Sequence, residues 1–252
     1  MTVHYHGTPI TPRTVLEQCA GLHFCVSFAN PQDVVRCHQI GQGIMLDNGA
    51  FSAWRRGIVI DWDAYYRWCE VWLKFWTTWA VIPDVIGGSE EENDRLISQW
   101  PHGTRGAPVW HMHESIERLL RLCRDWPRVC IGSSGDYFVV GSEIWHVRTI
   151  EAFNALCPGG GPPPAALHML RGMATSEWSY PFASVDSTDV ARNHHRGGSV
   201  IERARRWDSR NCPAVWNHRG TQERMFSLRP ESSDTEAVNA GRNQEPCDES
   251  QK

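Results

Sequence analysis

The sequence predicts an α/β protein, a single (β/α)8 barrel of the TIM type, and three observations carry that expectation. Its 252 residues match the usual length of one such barrel. Short apolar runs alternate with helix-length stretches of mixed character, the pattern of a parallel sheet covered by helices. Polar residues, aspartate above all, recur where those apolar runs end, and in a barrel these ends converge on one mouth.

Taken in order, the expected strands are 23–29, 44–51, 79–87, 108–113, 129–134, 166–171 and 182–186, with a weaker eighth at 213–216. The clearest helices are 61–76, 90–100, 115–125 and 142–156. They begin at Asp61, Ser89, Ser115 and Ser142, whose side chains accept hydrogen bonds from the free N–H groups of a first turn. Within 61–76, Tyr65, Trp68, Trp72, Phe75 and Trp76 recur at helical spacing, which reads as packing rather than base stacking. The stretch 158–164, PGGGPPP, must be a loop. From 230 onward the chain is polar and acidic, so 1–229 is expected to form the barrel domain and 230–252 a disordered tail in which Cys247 is an exposed thiol.

Composition narrows the function classes. Hydrophobic residues make up 41% and charged residues 21%, and no apolar run approaches the roughly 20 residues that span a bilayer, so a membrane protein is not expected. The first twelve residues lack the apolar core of a secretory signal, and a cytoplasmic location follows, the host cytoplasm for a phage-encoded chain. Nine cysteines, an odd number without a CxxC pair, argue against a disulfide framework or a cysteine-rich zinc site. The net charge of −4 excludes a bulk basic footprint for nucleic acid. Locally, six arginines between 192 and 210 face only Glu202 and Asp208; Arg192, Arg196, Arg203 and Arg206 are candidate phosphate contacts. The alternative there is a solvated helix face with a few ion pairs.

The chemistry is expected at the strand ends. IMLDNGAF places Asp47 there, VIPDVIGG places Asp84, and ASVDSTD places Asp186; CIGSSG and LHMLRG add Gly132, Ser133 and Arg171. Singly, an aspartate after a strand equally well caps the next helix. Together, closely spaced carboxylates raise each other's pKa, so one keeps a proton as an acid while another stays ionised as a nucleophile. Exchange at a glycosidic carbon needs that division. The glycines let backbone approach a flat ligand, or else serve ordinary turns.

On these residues the chain resembles the tRNA-guanine transglycosylase superfamily, and most closely the phage-type DNA-guanine transglycosylases (the DpdA family). The matching segments are LDNGAFSAW (46–54), AVIPDVIGGSEEENDRLI (80–97), PVWHMHES (108–115), CIGSSGDY (130–137), LHMLRGM (167–173) and FASVDSTDVARNHHRG (182–197), in family order over about three fifths of the chain. The resemblance implies a barrel enzyme that exchanges guanine in DNA for a 7-deazaguanine base, such as the 7-cyano form, through a covalent aspartyl intermediate, giving modified phage DNA that resists restriction. It implies that Asp186 is the nucleophile and Asp47 the general acid/base. Phe51 would stack on the base, Asp84 would grip the guanine edge, and Gly132 with Ser133 would bind its carbonyl. Where the family has glutamine at the fourth strand end this chain has WHMHE, which leaves the roles of His111 and His113 open; His113 joins Arg171 among the substrate-binding candidates. The tRNA enzymes hold zinc through a CxCxxC motif that is absent here, so no metal or other cofactor is expected. The expected partners are DNA and the incoming base, with homodimerisation left open.

Three other readings compete. A metal-dependent hydrolase would use His4 and His6, His111 and His113, His168 and Asp186 as ligands. A tRNA-guanine transglycosylase would share the chemistry on another polymer, and a non-catalytic DNA-binding barrel would keep the fold without turnover.

Overall fold

The computed structural model of the protein describes residues 1–196 and 198–218; the expected tail 230–252, with Cys247, lies outside the described residues. Nine parallel strands form one sheet: β1 Val3–Gly7, β2 His23–Ser27, β3 Gly43–Asp47, β4 Thr78–Val81, β5 Gly106–Ala107, β6 Val109–His111, β7 Arg128–Gly132, β8 Ala166–Met169 and β9 Ser184–Ser187. Their spatial order, β5-β4-β3-β2-β1-β9-β8-β7-β6, puts β5 and β6 at the two edges. Those two are halves of one stave, divided by Pro108, which has no N–H to give to a ladder. Ile82 N–H donates to Ala107 O on one side (2.9 Å) and Cys130 N–H to Pro108 O on the other (2.8 Å), so the sheet curls round to meet itself as an eight-staved barrel.

One strand departs from the expectation. The ring is completed by β1, the HYH segment, which pairs with β2 and β9, rather than by 213–216. Trp216 instead makes an isolated antiparallel bridge to Gly161 in the proline-rich loop. Histidines at alternate positions disguise β1, because they are buried under a helix on the outside of the barrel where apolar residues are the usual choice.

Helices cover the strands: α1 Arg13–Glu17, α2 Val34–Ile40, α3 Ala50–Arg56, α4 Trp62–Trp72, α5 Glu90–Gln99, α6 Ile116–Asp125, α7 Glu143–Leu156, α8 Asp189–Asn193 and α9 Val200–Asp208. The expected caps form, with Asp61, Ser89, Ser115 and Ser142 accepting from Ala64, Glu92, Arg118 and Trp145 N–H. Helix α4 ends at Trp72, earlier than the aromatic periodicity suggests, because β4 starts at Thr78 and the chain must reverse in between. Tyr65 and Cys69 on it are fully buried, whereas Trp76 is exposed. No helix among the described residues is long and apolar enough to cross a membrane.

Strand parity then assigns every side chain to a face. Tyr5, Cys25, Met45, Trp79, Val109 and Cys130 fill the barrel interior. Their sequence neighbours Phe24, Ile44, Ala80, Trp110, Val129 and Ile131 pack outward beneath the helices. The interior is therefore solid up to the level of its C-terminal mouth.

Candidate active site

Asp47 lies two residues beyond Met45 on β3, so the same parity turns it inward at the mouth. Its carboxylate accepts from Gly49 N–H (3.2 Å). Gly49 has φ +79°, and a Cβ there would stand 3.1 Å from Ala29 N, so both conformation and space require glycine. Burial pushes the Asp47 carboxyl up to about 6; repulsion from Asp186 and Asp84 adds to this, and a hydrogen bond from Ser27 opposes it. The three strand-end aspartates thus converge within electrostatic reach.

Asp84, three residues past β4, is buried, with a polar neighbour at each oxygen. Asn48 Nδ2 donates to its Oδ1 (2.7 Å) and to Ile82 O (2.9 Å), and His111 Nε2 lies 2.9 Å from its Oδ2. His111 is the inward residue at the end of β6, and its N–H donates to Glu114 (2.8 Å). Glu114 is in turn fixed by Arg118 Nη1 (2.6 Å) and Asn93 Nδ2 (3.0 Å), all of them buried. A Cβ on Gly132 would come within 3.1 Å of His111 Nδ1, so this glycine makes room for the histidine.

Asp186, on β9, is anchored through one oxygen only. Its Oδ1 accepts from Arg171 N–H (2.7 Å) and pairs with His168 Nε2 (3.3 Å), while Oδ2 has no partner among the described residues. His168 Nδ1 is 2.8 Å from Ser184 Oγ. Burial lowers the pKa of His168. In the neutral ring the Nε2 proton faces Asp186, and Nδ1 accepts from the serine hydroxyl.

Arg171 joins these parts. It is the one non-glycine residue with positive φ (+56°) among those described, a strained conformation that aims its N–H at Asp186. Its guanidinium lies 3.8 Å over the Phe51 ring and 5.4 Å from that of Phe138, and Nη2 donates to Ser133 O (3.3 Å). Burial lowers its pKa, and the charges of Asp186, Asp47 and Asp84 pull the other way. Arg171 therefore covers the mouth, resting on the ring face that the resemblance assigns to a stacked base.

The remaining expected site residues are placed differently. The Ser133 hydroxyl accepts from Trp145 Nε1 (2.9 Å), leaving its backbone as the part that faces the mouth through Arg171. His113 bridges two mouth loops, with Nδ1 at 2.7 Å from Ser134 Oγ and Nε2 at 3.2 Å from Gly88 O. Arg203 is a bidentate partner of Asp189 (2.8 and 3.0 Å), so it ties α9 to α8 instead of reaching outward. Arg192, Arg196 and Arg206 are exposed.

His168, Asn48 and Ser27 were not among the expected active-site residues of the transglycosylase reading. Asn48 and Ser27 stand at strand ends, a signal that could have found them, while the role of His168 depends on facing Asp186 across the sheet. The ligand set of the hydrolase reading is divided by parity. His111, His168 and Asp186 face the interior, while His4 and His6 face outward, with His6 Nε2 3.0 Å from Asp208 Oδ1 of α9. Among the described residues no group of three or more His, Cys, Asp or Glu is placed to hold a metal ion. A cavity of about 260 Å³ is lined by Asn48 and Gly49, the residues that follow Asp47, but by none of the three carboxylates.

No family model, no curated protein and no solved structure matches this chain.

Proposed function

We propose that this barrel is a DNA-guanine transglycosylase that exchanges guanine for a 7-deazaguanine base. The observation that supports this best is the asymmetry of Asp186: one oxygen is pinned by Arg171 and His168, and the other is left unengaged beside two further carboxylates. A carboxylate that attacks carbon needs a held geometry and one oxygen whose lone pair is not engaged.

The target guanosine leaves its stack to enter the mouth. Asp186 Oδ2 attacks the anomeric carbon, the bond to guanine N9 breaks, and its electron pair leaves with the base. Asp47 gives the departing guanine a proton. The sugar is then esterified to Asp186. The incoming deazaguanine loses its N9 proton to the Asp47 carboxylate, and N9 attacks the anomeric carbon and displaces Asp186. Asp47 therefore ends as it began, and a pKa near 6 suits both halves of the cycle. Asp84, with Oδ1 held by Asn48 and His111 Nε2 2.9 Å from Oδ2, keeps lone pairs for the N1–H and amino group of guanine.

The test is covalent trapping. Wild-type protein incubated with guanine-containing DNA is expected to give a complex stable to denaturant, and to incorporate radiolabelled guanine. Asp186→Ala is expected to do neither. A complex that persists in that variant overturns the assignment of the nucleophile; incorporation into tRNA and not DNA overturns the choice of polymer; binding without incorporation overturns the enzyme.

A further inference from the structure

Helix α3 leaves the mouth directly after Asp47, and its outer surface is unusual. Trp54 is 55% exposed, and Ile58 and Val59 in the following loop are 57% and 94% exposed. Isolated apolar side chains on a surface need no explanation, but three within six residues, just past a strand end that carries a buried carboxylate, call for one. Trp54 is also in register with the site. Its ring centroid is 5.9 Å from that of Phe51 at 34°, and Phe51 is stacked with Phe138 at 6.3 Å and 26°, so three rings lead across the mouth with the Arg171 guanidinium over the middle one.

The same helix carries free positive charge. Arg55 and Arg56 are exposed and make no ion pair or hydrogen bond among the described residues. Arg56 also lines the cavity behind the Asn48–Gly49 turn, whose apolar wall includes Phe28, Ile58 and Ile60. Its acidic rim residue, Asp61, already caps α4 with one oxygen. Flat aromatic faces interleaved with unpaired arginines suit a single strand, because only unpaired bases offer their faces for stacking and the phosphates follow the cations.

We infer that α3 and the loop after it are a track for unpaired nucleotides flanking the extruded guanosine. Trp54 stacks one base, Arg55 and Arg56 hold the phosphates, and the cavity behind them receives an adjoining base. This rests on the nucleic-acid reading above and adds that the strand is engaged in single-stranded form.

The test uses the full chain and a fluorescein-labelled thymidine oligomer of about 16 nucleotides, long enough for one binding groove and lacking guanine. Fluorescence anisotropy is expected to show tighter binding to this strand than to a duplex of equal length. Trp54→Ala is expected to weaken binding by at least about fivefold, the lower end for one stacked base. Arg55→Glu with Arg56→Glu is expected to flatten the salt dependence. Trp76→Ala, which removes an exposed tryptophan in the turn that enters β4 at the opposite end of the barrel, is expected to change nothing. Equal binding by wild type and Trp54→Ala, or an equal loss in Trp76→Ala, or a preference for duplex, overturns the track. Because thymidine cannot be exchanged, binding to this strand is read apart from the reaction: tight binding here with no incorporation of labelled guanine into guanine-containing DNA sinks the proposed reaction and leaves the track standing, while incorporation into that DNA by a protein whose thymidine binding ignores Trp54 does the reverse.

Discussion

His168 and Asp186 meet at 3.3 Å inside the barrel, and His6 and Asp208 meet at 3.0 Å outside it, beneath α9. Composition and spacing do not separate the two pairs. Strand parity does: His168 on β8 faces the mouth interior, whereas His6 on β1 faces a helix. Around the inner pair gather a strained backbone N–H, an unengaged carboxylate oxygen and two more carboxylates. Around the outer pair stand His4, with Nδ1 3.9 Å from Asp208 Oδ1, and His23, but α9 closes over them, and His4 Nε2 and His6 Nδ1 are buried and unpartnered among the described residues. A titratable pair marks a reactive site when other groups converge on its open side, and marks a structural joint when a helix closes over it.

The sharpest way to break this contrast is to remove each acid. Asp186→Ala is expected to lower base exchange by about 10⁴-fold or more, the scale of losing a covalent nucleophile. Asp208→Ala is expected to leave exchange intact and to cost about 1–3 kcal/mol of stability, read by denaturant unfolding, since it strips the buried His6 of its partner. Exchange that falls equally in both would erase the distinction.

Removing each histidine tests positioning. His168→Gln is expected to lower kcat by about 10–100-fold with little change in KM, because Asp186 loses one of the two contacts that orient it. His6→Gln is expected to move stability alone. A KM effect as large as the kcat effect in His168→Gln would mean that His168 serves binding instead.

Asp47 gives the most specific readout, in its pH dependence. Its acid form is the one that protonates guanine, so the rate of covalent-complex formation is expected to fall about tenfold per pH unit above pH 6. The same shift predicts a stability effect with the same sign in pH. Because the folded-state pKa lies above the ordinary 3.8, the folded protein binds the proton more tightly than the unfolded chain, and stability declines as pH rises from about 4 to 6. Asp47→Asn is therefore expected to be inactive yet more stable than wild type at pH 8, by about 1–3 kcal/mol, with the advantage gone at pH 3. A variant no more stable than wild type at pH 8 would show that burial of this carboxylate is already compensated.

Much of this was legible in the sequence. Asp47, Asp84 and Asp186 stand out because each ends an apolar run, and a run that stops at a charged residue announces both the strand and the mouth. The helix caps were readable for the same local reason. Strand β1 was not, because its buried outer face uses histidines that a helix covers from far along the chain. The partner of Ser133 was hidden too: that Trp145 takes its hydroxyl depends on how α7 packs across the sheet. Arg203 reads as a free cation until folding sets Asp189 against it.

Arg171 performs two duties through separate parts of itself. The anchor on Asp186 comes from its main chain, which any residue tolerating that left-handed turn supplies, glycine most readily. The cover over Phe51 comes from its side chain alone. Sequence drift at this single position can therefore uncover or re-cover the Phe51 face while the Asp186 carboxylate stays anchored.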